Sequence, residues 1–291
     1  MSEVEHVLSL GSECGEGPLW VAEEKAVYSV DIPAGKVFRY YPDSSRHETF
    51  TFALPVTALG MRTGGGFVVA TAKGFAFWNP PSTQLQPIAS PETDKPDNRF
   101  NDGAVDRQGR FWAGTMNMVQ PEAPDGSLYR LNPDLSVRKM ASGFAVYNGG
   151  AWSPDGRTMY VTNTIPGEIW AYDFDPANGD IANRRVFARV PAEDGWPDGH
   201  TVDSEGFLWS AHWGGWRITR YDPTGKIERI IKLPVSQVSC CHFGGDALDV
   251  LYITTAWEGM TAEQRQAEPM AGDLFRVQVD VKGLPEPRFK G

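Results

Sequence analysis

Six short apolar runs return along the chain: Ala26–Val30, Gly66–Ala70, Arg110–Ala113, Thr158–Thr162, Phe207–Ser210 and Val250–Thr254. Each is rich in β-branched and aromatic residues and too short for a helix, so each predicts a buried strand. A second such stretch follows every run: Lys36–Tyr40, Phe75–Trp78, Ser127–Leu131, Glu168–Tyr172, Arg217–Tyr221 and Asp273–Val277. Many of these end in Tyr-Pro, Asn-Pro or Asp-Pro, turns whose φ the proline presets. The repeat spans roughly 40–50 residues, the size of a four-stranded blade. Long amphipathic helices are absent from the pattern; one short helical piece is expected near Ala262–Ala267, inside a loop from Trp257 to Ala271. Together these features predict an all-β chain, a six-bladed β-propeller spanning residues 1–291 as one domain. The stretch from Val4 to Leu10 would complete the last blade beside Asp273–Val281.

The spacing within the repeat also selects residues. About 11 or 12 positions before the centre of each run stand Glu16, Thr57, Asn101, Asn148, Asp198 and the pair Cys240-Cys241. Equivalent offsets in equivalent blades predict equivalent places, at one end of the innermost strands and facing a central channel. Two carboxylates and two carboxamides would then share that channel, and buried charge of this kind requires a counter-charge. Glu16, Asn148 and Asp198 supply oxygen donors and two negative charges, a set suited to a hard divalent cation with positions left for water or substrate. The same residues also read as turn formers, since Asn148-Gly149, Asp198-Gly199 and Glu16-Gly17-Pro18 all favour loops.

Several of these positions lie in longer motifs. Gly15-Glu16-Gly17-Pro18-Leu19-Trp20, Arg99-Phe100-Asn101-Asp102-Gly103, Asn148-Gly149 with Trp152–Gly156, Pro197-Asp198-Gly199 with Asp203–Gly206, Ser239-Cys240-Cys241 and Ala271–Phe275 resemble the senescence marker protein 30/gluconolactonase family, in that family's order. The resemblance implies a propeller that hydrolyses lactones, often sugar lactones, with one divalent metal in the channel. It implies Glu16, Asn148 and Asp198 as metal ligands, Asp198 also as general base, and Arg99 and Asn101 as substrate-binding residues. Arg99 rests on the motif alone. Hardness favours calcium, magnesium or manganese, whereas family members with zinc or iron(II) are known, so the ion stays open.

The chemistry agrees with these residue types. Opening a cyclic ester needs a nucleophilic water and stabilisation of charge on the carbonyl oxygen, both of which a metal supplies without a serine or cysteine nucleophile. Asp198 would take the water's proton and return it to the ring oxygen; a metal-activated hydroxide oriented by Asp198 is the competing description. Arg99 and Asn101 suit a polyhydroxylated ligand. Asp102 could reach the metal or fix Arg99, and His200 and His212 are expected near the metal rather than on it. Two other classes stay open: a propeller hydrolase of other lactones, esters or phosphotriesters, as in paraoxonase-like proteins, and a non-catalytic metal-binding propeller.

Composition narrows the partners. A formal charge of -10, with no basic stripe, argues against nucleic acid. No stretch has the length of a membrane span, and the N-terminus lacks a signal-peptide pattern, so a cytoplasmic monomer acting on a small sugar lactone is expected. The three cysteines, Cys14, Cys240 and Cys241, form no disulfide framework and fit reduced thiols. The polar loop Ser90–Asp97 before Arg99 is expected to lie over the channel mouth as a lid.

Overall fold

The computed structural model describes residues 3–291. The six-bladed β-propeller expected from the repeat is present as six four-stranded antiparallel sheets. Blade 1 runs Gly15–Val21, Ala26–Asp31, Lys36–Tyr41, Arg46–Thr51, and blade 2 runs Val56–Met61, Phe67–Thr71, Gly74–Trp78, Leu85–Ala89. Blade 3 follows with Asn98–Val105, Phe111–Asn117, Gly126–Leu131, Val137–Phe144, then blade 4 with Tyr147–Trp152, Thr158–Asn163, Glu168–Phe174, Ile181–Arg189. Blade 5 contains Trp196–Val202, Leu208–Trp213, Arg217–Tyr221, Ile227–Lys232. Blade 6 contains Val238–Gly244, Val250–Thr255 and Leu274–Gln278, and its fourth strand is Glu5–Leu8 from the other end of the chain. There Glu5 stands opposite Arg276 and their side chains pair at 2.8 Å. The expected helical piece is Ala262–Ala267, capped by Thr261 in a reciprocal bond with Gln264.

Burial explains the run-like sequence pattern. The second strand of blade 1 is buried at all six positions and the fourth at one, so inner strands read as continuous apolar runs while outer strands turn polar. The chain forms two compact units, one of residues 1–51 with 190–285, the other of 52–189 with 286–291. In the first, Trp209, Phe243, Leu251 and Phe275 of blades 5 and 6 share a core, and Trp20 stacks on Tyr252. In the second, Phe75, Phe100, Phe111 and Tyr129 pack together, and the C-terminal Phe289 is fully buried among them.

Every innermost strand carries one bulge at a matching level. Against two residues of its partner strand, the first strand uses three from Glu16 to Leu19, from Phe100 to Gly103, from Asn148 to Ala151 and from Pro197 to His200. Val56 to Ala58 and Val238 to Cys240 each carry a smaller shift of the same kind. A bulge adds one residue, bends the strand and re-aims side chains. The positions chosen by spacing therefore sit in, or directly beside, these bulges.

Two blades are braced by one repeated device. Asp106 and Asp203 are fully buried. The Asp203 Oδ1 accepts the backbone N–H groups of Glu205 and Phe207, closing the hairpin, while Oδ2 accepts from the Trp209 indole at 2.8 Å and from Arg220 at 2.7 Å. Asp106 does the same with Gln108, Arg110 and the Trp112 indole. The loop before Arg99 is anchored: the Glu92 carboxylate accepts from Thr115, Tyr129 and Asn98, and Lys95 reaches the Asp125 carbonyl.

Candidate active site

In the unit built on blades 2–4, three of the expected residues meet. Arg99 donates through Nη1 to the Asn101 Oδ1 at 2.7 Å and to the Phe100 carbonyl, and its Nε lies 2.9 Å from the Met118 sulfur. Asn101 in turn donates through Nδ2 to the Asn148 Oδ1 at 2.8 Å and to the Tyr147 carbonyl at 2.9 Å. Both amide hydrogens of Asn101 are thereby engaged, which leaves its oxygen as the group able to meet a ligand. The Asn148 Nδ2 donates to Thr164 Oγ1, so the side chain is fixed at both ends.

Asp102 sits inside the blade 3 bulge, and its carboxylate ties two blades together. Oδ1 accepts the Gly103 N–H and Oδ2 accepts the Gly149 N–H at 2.6 Å, immediately after Asn148. Asn101 and Asp102 thus clamp the strand carrying Asn148 from two adjacent points. Beneath them Tyr147 is fully buried, its ring filling a space that any side chain at Gly114 would occupy. Burial, and then the Asp102 charge, push the Tyr147 phenol far above its ordinary pKa, so it stays protonated.

In the unit built on blades 5, 6 and 1, Glu16 and Asp198 are both buried, on the first strands of blades 1 and 5. The first strand of blade 6 packs against both of those strands. The Glu16 Oε2 accepts the Gly17 N–H at 3.0 Å. Gly199, next to Asp198, lies so close to Cys240 that a Cβ there would run into the thiol. Ser239 Oγ donates to the Gly15 carbonyl at 2.5 Å, fastening the strand before Glu16. The three thiols are buried and free of disulfides. Burial, followed by the Glu16 charge, raises the Cys241 pKa, which keeps it an un-ionised thiol rather than a nucleophile.

His212 is buried on blade 5, with Nδ1 3.0 Å from the Asp194 carbonyl and Nε2 3.3 Å from the Tyr221 hydroxyl. One nitrogen donates and the other accepts, the pattern of a neutral ring, and burial lowers its pKa to about 4. It makes structural bonds to the Asp194 carbonyl and the Tyr221 hydroxyl.

No group of three or more His, Cys, Asp or Glu side chains is arranged to hold a metal among the described residues. The expected ligand set has a different make-up, two carboxylates and an amide, and its donors suit a hard cation. At Asn148 the fit is direct: one lone pair of Oδ1 takes the Asn101 hydrogen, the amide nitrogen is spent on Thr164, and a second lone pair is left on the oxygen. Asp102, Tyr147 and Thr164 are supports that spacing alone does not select. The adjacency of Asp102 to Asn101, and of Tyr147 to Asn148, is the signal that leads to two of them.

Residues 14–257 match the model of the SMP-30/gluconolactonase/LRE-like region. Regucalcin from Xenopus laevis is 35% identical over 99% of both chains, and regucalcin from Danio rerio is 37% identical over 99% of both. Among solved structures, a calcium-binding regucalcin from Agrobacterium tumefaciens superposes with a TM-score of 0.94 at 26% identity, covering 99% of this chain and 97% of that one. A gluconolactonase from Xanthomonas campestris gives a TM-score of 0.77 at 25% identity, over 95% of this chain and 89% of that one. With bulged inner strands bearing these motifs and likeness along nearly its whole length, the chain belongs to the SMP-30/gluconolactonase family.

Proposed function

We propose that the protein is a metal-dependent lactonase that hydrolyses a sugar-derived lactone to the aldonic acid. The observation that carries this reading is the setting of Asn148, whose carboxamide is clamped by Asn101 and Thr164 with one oxygen lone pair to spare. An amide held so is a preorganised ligand, and supporting partners of this kind typically govern metal affinity. In this reading Glu16, Asn148 and Asp198 hold one divalent ion. When bound, such an ion polarises the lactone carbonyl and lowers the pKa of water.

The chain's own residues do the rest. Asp198 takes a proton from the attacking water as its oxygen bonds to the carbonyl carbon. As the bond from that carbon to the ring oxygen breaks, Asp198 returns the proton to the departing oxygen, giving a hydroxy acid. Arg99 donates to hydroxyl or carbonyl oxygens of the substrate, and its bond to Asn101 holds the guanidinium in place. Asn101 offers its oxygen to a substrate hydroxyl while fixing Asn148. A second reading, a lactone or ester with an apolar substituent, draws support from Met118, which lies beside Arg99 and is 50% exposed, and from the next residue, Val119, which is 68% exposed.

The test is hydrolysis of a panel of five- and six-membered aldonolactones by chelated protein restored with each divalent metal, corrected for spontaneous opening. Metal-restored turnover that Asp198→Asn and Glu16→Gln abolish, with circular dichroism unchanged, is expected. Folded protein inert towards every lactone with every metal would overturn the proposal.

A further inference from the structure

Blade 5 carries the run His212-Trp213-Gly214-Gly215-Trp216, in which His212 is buried but Trp216 has no part in the core or in the proposed hydrolysis. The turn in this run joins the second and third strands at the end of the sheet where the first strand begins. That first strand opens with Trp196, paired with Trp213 and two residues ahead of Asp198. The two segments touch through glycines. A Cβ on Gly195 would stand 2.6 Å from the Gly215 nitrogen, and one on Gly215 would run into the Asp194 carbonyl. Trp196 and Trp216 directly follow these glycines, so their backbones leave from the two sides of one close backbone contact. They are 47% and 42% exposed, while Trp78, Trp112 and Trp209 are fully buried in the core.

Trp216 is also strained. Its φ is +58°, the left-handed region that a bulky side chain avoids and that Gly214 beside it adopts freely. A large aromatic held there, half in water, gains little from the core and costs backbone energy, a combination that marks functional positions. The backbone at this residue is secured by its N–H to the Ser236 carbonyl and by the Leu233 N–H to its own carbonyl.

We propose that Trp196 and Trp216 form an aromatic platform that receives the C–H face of the lactone ring on its approach to Asp198, a proposal that rests on the lactonase reading. An indole face is apolar and electron-rich, and a sugar ring presents apolar, weakly positive C–H groups on its faces. Contact between them binds by excluding water and leaves the ring hydroxyls free for polar partners. This platform acts on binding rather than on proton transfer, so its signature is a rise in KM with kcat preserved.

The experiment compares wild type, Trp196→Ala, Trp216→Gly and Trp216→Phe by lactone kinetics and by calorimetric binding of gluconolactam, an inert ring analogue. Trp196→Ala and Trp216→Gly should each weaken lactam binding and raise KM about tenfold with kcat within about threefold, and Trp216→Phe should keep most of the affinity. Trp216→Gly should melt no lower than wild type, because glycine removes the left-handed strain. Unchanged lactam affinity and KM in both truncations would overturn the platform. Wild type that binds lactam but hydrolyses nothing would sink the lactonase reading while the truncations still decide the platform; wild type that neither binds nor turns over would sink both.

Discussion

Replacing Asp203 by alanine tests the brace that closes the blade 5 hairpin. The carboxylate is fully buried and accepts from two backbone N–H groups, the Trp209 indole and Arg220. Breaking a buried pair by removing one partner typically costs about 3–5 kcal/mol. Here Arg220 keeps Glu205 at 2.7 Å and Glu228 at 3.1 Å, so its charge is not stranded and the ionic part should fall at the low end. The orphaned indole N–H adds about 1–2 kcal/mol. The expected loss is about 4 kcal/mol, a large share of the roughly 5–15 kcal/mol that holds a folded domain. Urea unfolding followed by tryptophan fluorescence would read it. The hairpin lies at the opposite end of the sheet from Asp198, so kcat of the protein that remains folded should be unchanged. Asp106→Ala, which breaks the same device in blade 3, should cost at least as much, since the other hydrogen-bond partners of Arg110 are the Gln108 amide oxygen and the Pro176 carbonyl. A loss below about 1 kcal/mol in both variants would refute the assignment of these aspartates as braces.

Three further outcomes are expected. Asp102→Ala removes the acceptor of the Gly149 N–H and should cost about 2 kcal/mol of stability; by loosening Asn148 it should also weaken metal binding about 10–100-fold in titration calorimetry. Acidification should destabilise the protein through His212. The unfolded ring takes a proton below about 6.5 whereas the buried ring waits until about 4, so stability is full above the first value and falls by about 3 kcal/mol towards the second; His212→Gln should flatten that slope in unfolding curves measured at several pH values. Returning metal to chelated protein at about 100 times its Kd should stabilise the fold by about 2.7 kcal/mol, and an unchanged melting curve would contradict a resident ion.

The blade count was open to inspection because the inner strands are buried on both faces and so appear as separate apolar runs, from Ala26–Asp31 to Val250–Thr255. Strand Glu5–Leu8 gave a weaker signal, since none of its four residues is buried, and was visible only as a short stretch without a sheet of its own. Glu16, Asn101, Asn148 and Asp198 were visible through constant offset, since a bulge at a matching level leaves the spacing nearly uniform. The bulge itself was hidden, because it exists in the pairing and not in either strand alone. For that reason the direction of Asp102 could not be read: the extra residue turns its carboxylate onto the Gly149 N–H of the next blade. The braces left a trace that went unused, an aspartate six residues before a tryptophan at Asp106–Trp112 and again at Asp203–Trp209. Spacing brought forward Cys240 and Cys241 alongside the carboxylates; the close packing of Cys240 on Gly199 is a contact that no offset reveals.

The pairing of residue 8 with residue 274 sets an order on biosynthesis. At about 5–20 residues per second, the first strand leaves the ribosome roughly 13–50 s before its partner has been made. All four strands of blades 2, 3 and 4 emerge in uninterrupted succession during that wait, so each can form its sheet as it appears. The outer edge of blade 6 is then the last to be sealed, and until that moment Glu5–Leu8 is a strand without a sheet. A nascent chain stalled before residue 274 should therefore hold this segment open to added protease, and release of the full-length chain should protect it.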